Sequence, residues 1–190
     1  AIYVEAGNSV FSSKDGVLYT NGGKTLFRCP INKAGSFTIP SGVTELAPDA
    51  FYRCVVTEIN MPSSLKKIGS DAFRECDNVT KLEFPDNVEE IPTYLCLACE
   101  NLSEVKLPRN LKTLGYGAFS SCDNLSTVVI PSGVTSIGAD AFPETTQVDW
   151  KNEKNLTQLE DGSYAQMAKV SVTVREEYKK AFEVLELVNK

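Results

Sequence analysis

Six cysteines are the residues of this 190-residue chain best suited to chemistry, and four of them are evenly spaced. Cys54, Cys76, Cys99 and Cys122 recur every 22 or 23 residues. Thiols at one recurring position suit a metal series, a disulfide series, or one small buried slot per structural unit. In stacked units these side chains run parallel, near disulfide distance but aimed alike, which disfavours bridging. A ladder of free, buried thiols is therefore expected. Cys96 and Cys99 form a Cys-x-x-Cys pair, the spacing of a redox motif or half a zinc site. No second pair completes it, and the chain has no histidine, the commonest metal ligand. Cys29 stands alone in the pattern. The lack of histidine also removes the usual general base and triad member. There is no Gly-rich phosphate loop, and no recognisable motif places paired carboxylates. No catalytic residue, cofactor or metal is expected, and the chain is read as no enzyme.

The cysteine spacing belongs to a larger repeat. Pro40, Pro62, Pro85, Pro108 and Pro131 align five units, and the residues around them repeat in register. Three residues after each proline stand Val43, Leu65, Val88, Leu111 and Val134. Six after it stand Leu46, Ile68, Ile91, Leu114 and Ile137. Then come Ala50-Phe51, Ala72-Phe73, Leu95-Cys96, Ala118-Phe119 and Ala141-Phe142. Thr145 takes the cysteine position in the fifth unit, which reads as the array ending. Each unit is too small to bury its apolar face alone, so units must stack as coils of a solenoid around one core.

Before each proline lies a short alternating run, such as Phe37-Thr38-Ile39 and Leu82-Glu83-Phe84. Apolar residues at i and i+2 share one face of a strand. One strand per coil makes a parallel sheet with rungs ~4.8 Å apart. Each proline, unable to donate to a ladder, should mark where the strand leaves the sheet. An extended piece, a turn at Gly69, Gly115 or Gly138, and one helical turn on the convex side are expected next. Phe51, Phe73, Phe119 and Phe142 should form an internal aromatic column.

The outward strand positions form two columns, Ser36, Glu58, Lys81, Glu104, Thr127 and Thr38, Asn60, Glu83, Lys106, Val129. Their charges alternate from rung to rung, and Arg109 adds a cation at the rim. Two readings stay open. Neighbouring rungs neutralise each other and keep the face soluble, or the face is a mixed-charge platform for a protein partner. The columns contain no aromatic residue, which disfavours sugar binding there. Asn78, Asn101, Asn124 and Asn155 match the glycosylation pattern, but the first three arise from the repeat itself and are expected to bond turn backbone.

The array needs caps. Val17–Thr20 and Lys24–Arg28 around Asn21-Gly22-Gly23 read as a β-hairpin. Residues 1–35 are assigned to this cap, 36–144 to five repeats and 145–190 to a C-terminal cap. That cap is expected to hold a polar loop over 151–163, a strand at Val170, Val172 and Val174, and a helix through Tyr178, Phe182 and Leu185. The whole is expected to be one α/β repeat solenoid wound as a right-handed superhelix.

Net charge is −6, with the acidic excess within residues 1–150. No basic stripe suits nucleic acid, and no apolar run is long enough to span a membrane. The chain begins at Ala1, as it would after removal of a leader.

The unit P-x-x-V/L-x-x-I/L-x-x-x-A-F-x-x-C-x-N-L-x-x-L/V-x-L/F resembles the BspA-like leucine-rich repeat, closely over 36–144. Phe11 to Pro30 is similar to a segment that often precedes such repeats, and Val170 to Phe182 to a common ending. Two features depart from the pattern: Leu95-Cys96 replaces Ala-Phe, and the array is short. The resemblance implies an extracellular or cell-surface binding module of bacterial type. It implies a protein partner, in host extracellular matrix or on another cell's surface. A spacer without its own ligand is the other reading.

Overall fold

A computed structural model of the chain describes residues 1–20, 22–151, 156–159 and 161–165. It is a β-solenoid built on two strand ladders joined by turns. The chain opens with β1 (Phe11–Lys14), β2 (Val17–Thr20) and β3 (Thr25–Arg28). Longer strands then alternate with two-residue strands. They run β4 (Gly35–Thr38), β5 (Glu45–Leu46), β6 (Val56–Asn60), β7 (Lys67–Ile68), β8 (Lys81–Glu83) and β9 (Glu90–Ile91). They continue as β10 (Glu104–Lys106), β11 (Thr113–Leu114), β12 (Thr127–Ile130), β13 (Ser136–Ile137) and β14 (Gln147–Trp150). A final pair, β15 (Thr157–Gln158) and β16 (Tyr164–Ala165), follows.

The even-numbered strands β4 to β14 form the front ladder. β4 pairs with β6, β8 with β10 and β12 with β14, all parallel. The odd-numbered strands form the side ladder, also parallel from β3 to β7 and from β9 to β13. A glycine follows three of its strands and donates to the coil before it: Gly69 N–H to Leu46 O at 2.9 Å, Gly115 to Ile91 O at 2.7 Å, Gly138 to Leu114 O at 2.8 Å. The third coil has Pro92 at this position, which has no N–H to give to Ile68. The side ladder breaks there into two five-stranded sheets.

Both ends of the side ladder reverse direction. β1, β2 and β3 run antiparallel, and β3 then starts the parallel ladder against β5. At the other end β16 pairs antiparallel with both β13 and β15. The expected hairpin of Val17–Thr20 is present. The stretch read as a polar loop over 151–163 carries β15, and β14 adds a rung to the front ladder just before it. The strand at Val170 to Val174 and the helix beyond it lie outside the described residues.

The helical turn expected on the convex side is replaced, and no helix occurs among the described residues. Nine residues after each proline, Asp49, Asp71, Tyr94, Gly117 and Asp140 have positive φ. Thirteen after, Arg53, Glu75, Ala98 and Ser121 do too, all at φ between 53° and 59°. A left-handed residue every four or so positions ends each turn before a helix can propagate. The freed backbone groups bond the next coil instead. Phe51 N–H reaches Ala72 O at 2.7 Å, Phe73 reaches Leu95 O at 2.9 Å, Cys96 reaches Ala118 O and Phe119 reaches Ala141 O, both at 2.8 Å. A third, convex ladder results.

One continuous core runs from Val17 to Ala141. Phe51, Phe73 and Phe119 are fully buried. Phe51 and Phe73 have ring centroids 5.4 Å apart, and Phe119 stacks on Phe142 at 5.5 Å. Cys96 takes the intervening place in this column. Cys29 N–H bonds Ala50 O at 2.7 Å as the phenylalanines bond their successors, so Cys29 is the column's first member. Where the third coil gives up its phenylalanine it gains bulk beside it. Leu95 stands for alanine, and Phe84 of the same coil lies 6.4 Å from Phe73. Leu95 and Cys96 have no exposed surface, so the volume of the Ala-Phe pair has been redistributed.

Candidate interaction surface

The thiol series lies inside the solenoid. All six cysteines are free and buried. Each recurring thiol donates to the carbonyl of the column residue one coil back. Cys54 bonds Cys29 O at 3.3 Å, and Cys76, Cys99 and Cys122 bond Phe51 O, Phe73 O and Cys96 O, each at 3.0 Å. Burial raises the Cys76 and Cys96 thiols above the ordinary range, and a hydrogen bond with Cys99 raises Cys122. The bond with Cys29 lowers the Cys54 thiol instead. No cluster of metal-binding side chains occurs among the described residues.

The asparagines form a similar series on the outside. Asn101 and Asn124 amides donate to Asp77 O and Glu100 O, each at 2.7 Å, and Asn78 to Val55 O at 3.4 Å. They bond backbone as expected, across coils rather than within a turn. Asn155 lies outside the described residues.

The front ladder brings the two outward columns together. Alternation turns Phe37, Ile59, Leu82, Val105 and Val128 inward and the residues beside them outward. Register places Ser36 beside Glu58 and Thr38 beside Asn60. It places Lys81 beside Glu104 and Glu83 beside Lys106. Thr127 and Val129 are extended by Gln147 and Asp149, two members missed in the sequence because β14 follows Ile130 at an irregular spacing without a proline. All eleven anticipated positions, including Arg109, are exposed.

The charges on this face are paired. Lys81 Nζ lies 2.6 Å from Glu104 Oε1, and Lys106 bonds Glu83. The bond from Glu104 raises Lys81 above the usual lysine range, and the bond from Lys106 lowers Glu83 below the usual carboxylate range. Asn60 reaches Ser36 Oγ at 3.4 Å. Exposed pairs of this kind add little to stability; they hold both charges in fixed places. At the rim, Arg109 sits 3.6 Å from Asp86, whose other oxygen accepts the Arg109 backbone N–H at 3.0 Å. A shallow cleft of about 480 Å³ opens there, lined in part by Met61, Phe84, Lys106 and Arg109.

Residues 23–149, which contain these coils, match the family model of the BspA type leucine rich repeat region in six copies. The chain belongs to this BspA-type family. Its solved structural relatives are bacterial leucine-rich-repeat proteins. A leucine rich cell surface protein from Faecalibacterium prausnitzii is 28% identical with a TM-score of 0.73, over 77% of this chain and 41% of its own. The Pneumococcal vaccine antigen PcpA shares the fold at 23% identity and a TM-score of 0.68, over 84% of this chain and 40% of its own. The T. pallidum Leucine Rich Repeat protein is 30% identical with a TM-score of 0.61, over 75% of this chain and 67% of its own. No curated protein matches the chain. This BspA-type chain thus spans about two fifths of the first two relatives. No helix among its described residues is long and apolar enough to cross a membrane.

Proposed function

We propose that this BspA-type solenoid is a non-catalytic, cell-surface or secreted binding module that docks a protein through the front ladder. The coils are taken to wind right-handed, as parallel β crossovers do. The partner is a host extracellular matrix protein or a surface protein of another cell. One observation carries the reading: the two exposed columns stand on a fully buried backing, with charges held in register and a cleft at one rim. Preorganised side chains on a rigid face lose little entropy when a partner docks. Surface display is supported by the cell-surface description of the F. prausnitzii relative.

Binding to immobilised matrix proteins tests this. The triple substitution Lys81→Glu, Lys106→Glu, Arg109→Glu should weaken capture by about tenfold or more, as expected when hot-spot contacts are lost. Capture unchanged by the triple substitution would remove the front ladder as the site. A second reading, a spacer with no ligand of its own, is favoured by the mutual pairing of Lys81 with Glu104 and Lys106 with Glu83. It gains if no matrix or cell-surface protein is captured at all.

A further inference from the structure

The convex turns of the third and fourth coils carry two tyrosines that neither the core nor the front ladder uses. Tyr94 holds one of the positive-φ positions, and Gly117 holds the same position one coil later. A β-carbon on Gly117 would meet the Tyr94 ring at 2.7 Å from Cε1 and 2.8 Å from Cδ1. The bare backbone leaves room for the Tyr94 ring to lie over that turn. The other coils have aspartate here, at Asp49, Asp71 and Asp140, so the glycine marks a departure that accommodates a ring.

Tyr116 meets Tyr94 at 5.4 Å between centroids with the planes at 87°, forming a right-angled corner. Tyr116 is 44% exposed. The Asp140 carboxylate of the following coil acts on the Tyr116 phenol and raises its pKa. The convex face offers a contrast. Tyr52 has the guanidinium groups of Arg28, Arg53 and Arg74 within 6 Å of its ring, at 5.7, 5.9 and 5.6 Å. No cation stands over Tyr94 or Tyr116 among the described residues. The Tyr52 ring is therefore taken up by cations, while the half-buried Tyr94 and the exposed Tyr116 are taken up by each other.

We propose that the Tyr94–Tyr116 corner, with Asp140 beside it, is a binding site for a neutral glycan. A pyranose ring presents C–H groups to an aromatic face and hydroxyls around its rim. A fixed tyrosine supplies apolar area at low entropic cost together with a polar tip. The carboxylate accepts sugar hydroxyls in charge-assisted hydrogen bonds. Asp140 and the net charge of −6 oppose a sulfated or sialylated ligand. The site lies on the convex side, away from the front ladder, and stands or falls independently of the protein-docking reading.

Ligand-observed NMR with cellotetraose, chitotetraose and N-acetyllactosamine tests it on the folded chain. At least one of the three should bind with a dissociation constant of roughly 1 mM or tighter. Tyr116→Ala and Tyr94→Ala should each weaken that binding by about tenfold or more, in line with losing an aromatic anchor. The front-ladder variant Lys81→Glu, Lys106→Glu should bind the saccharide unchanged. Binding by none of the three, or equal binding by folded Tyr116→Ala protein, overturns the proposal. Tyr116 is the more exposed of the two, so its variant decides the matter even if Tyr94→Ala fails to fold.

Discussion

Exchanging Leu95-Cys96 for the Ala-Phe pair of the sister coils probes how the core shares volume. Leu95 is fully buried, so Leu95→Ala alone should cost ~2–5 kcal/mol through lost burial and an unfilled cavity. Cys96 is also fully buried, and Cys96→Phe alone should cost ~1–3 kcal/mol or more through overpacking. If the two changes were independent, the double variant would lose the sum, ~3–8 kcal/mol. The structure says they are not. The ring added at Cys96 would continue the column between Phe73 and Phe119, and the space released at Leu95 would relieve it. The double variant should lose less than ~2 kcal/mol, which makes the coupling favourable by at least ~1 kcal/mol. Adding Phe84→Leu, which trims the ring near Phe73, should recover part of any remainder. The assay is equilibrium urea unfolding under reducing conditions, comparing midpoints at constant m. Additivity to within about 0.5 kcal/mol would refute volume exchange.

Gly115→Ala should be strongly destabilising, because its β-carbon would fall 2.3 Å from the Thr93 backbone nitrogen; the cost is expected at about 3 kcal/mol or more, and a shift in urea midpoint near zero would show that the coils can separate freely. All six thiols should resist an aromatic disulfide reagent in native protein and react together once unfolded, as enclosed cysteines do. The same burial predicts a pH dependence. The Cys76, Cys96 and Cys122 values are raised above 9.0, so the unfolded chain loses thiol protons first. Stability is untouched by these groups below pH 9 and falls as pH rises beyond it. A thermal midpoint that holds steady well above that pH would contradict the assignment.

Much of this arrangement was legible in the residues. Alternation before each proline revealed the front strands, and the resulting columns put Lys81 against Glu104 and Glu83 against Lys106, as found. Burial and parallel orientation of Cys54, Cys76, Cys99 and Cys122 followed from period alone. The convex side was harder to read. A positive φ leaves a plain mark when glycine holds it, but Arg53, Glu75, Ala98 and Tyr94 adopt it here without one. Asp49, Asp71 and Asp140 were the available clue, since aspartate tolerates that region better than most residues. Cys29 was unreadable because no aligned proline precedes it in the first coil, and its role shows only through its bond to Ala50. The Tyr94–Tyr116 corner escaped notice because its two members occupy different positions in the repeat and meet only once the coils are stacked.

The reversal of strand direction at both margins of the side ladder has a consequence for how such a protein changes length. Each margin reverses twice, so the outermost strands β1 and β15 again run in the direction of the ladder they border. A unit spliced between two existing coils meets the same neighbours as its siblings. A coil duplicated inside the array therefore lengthens both ladders while leaving the antiparallel hairpins at their margins unchanged.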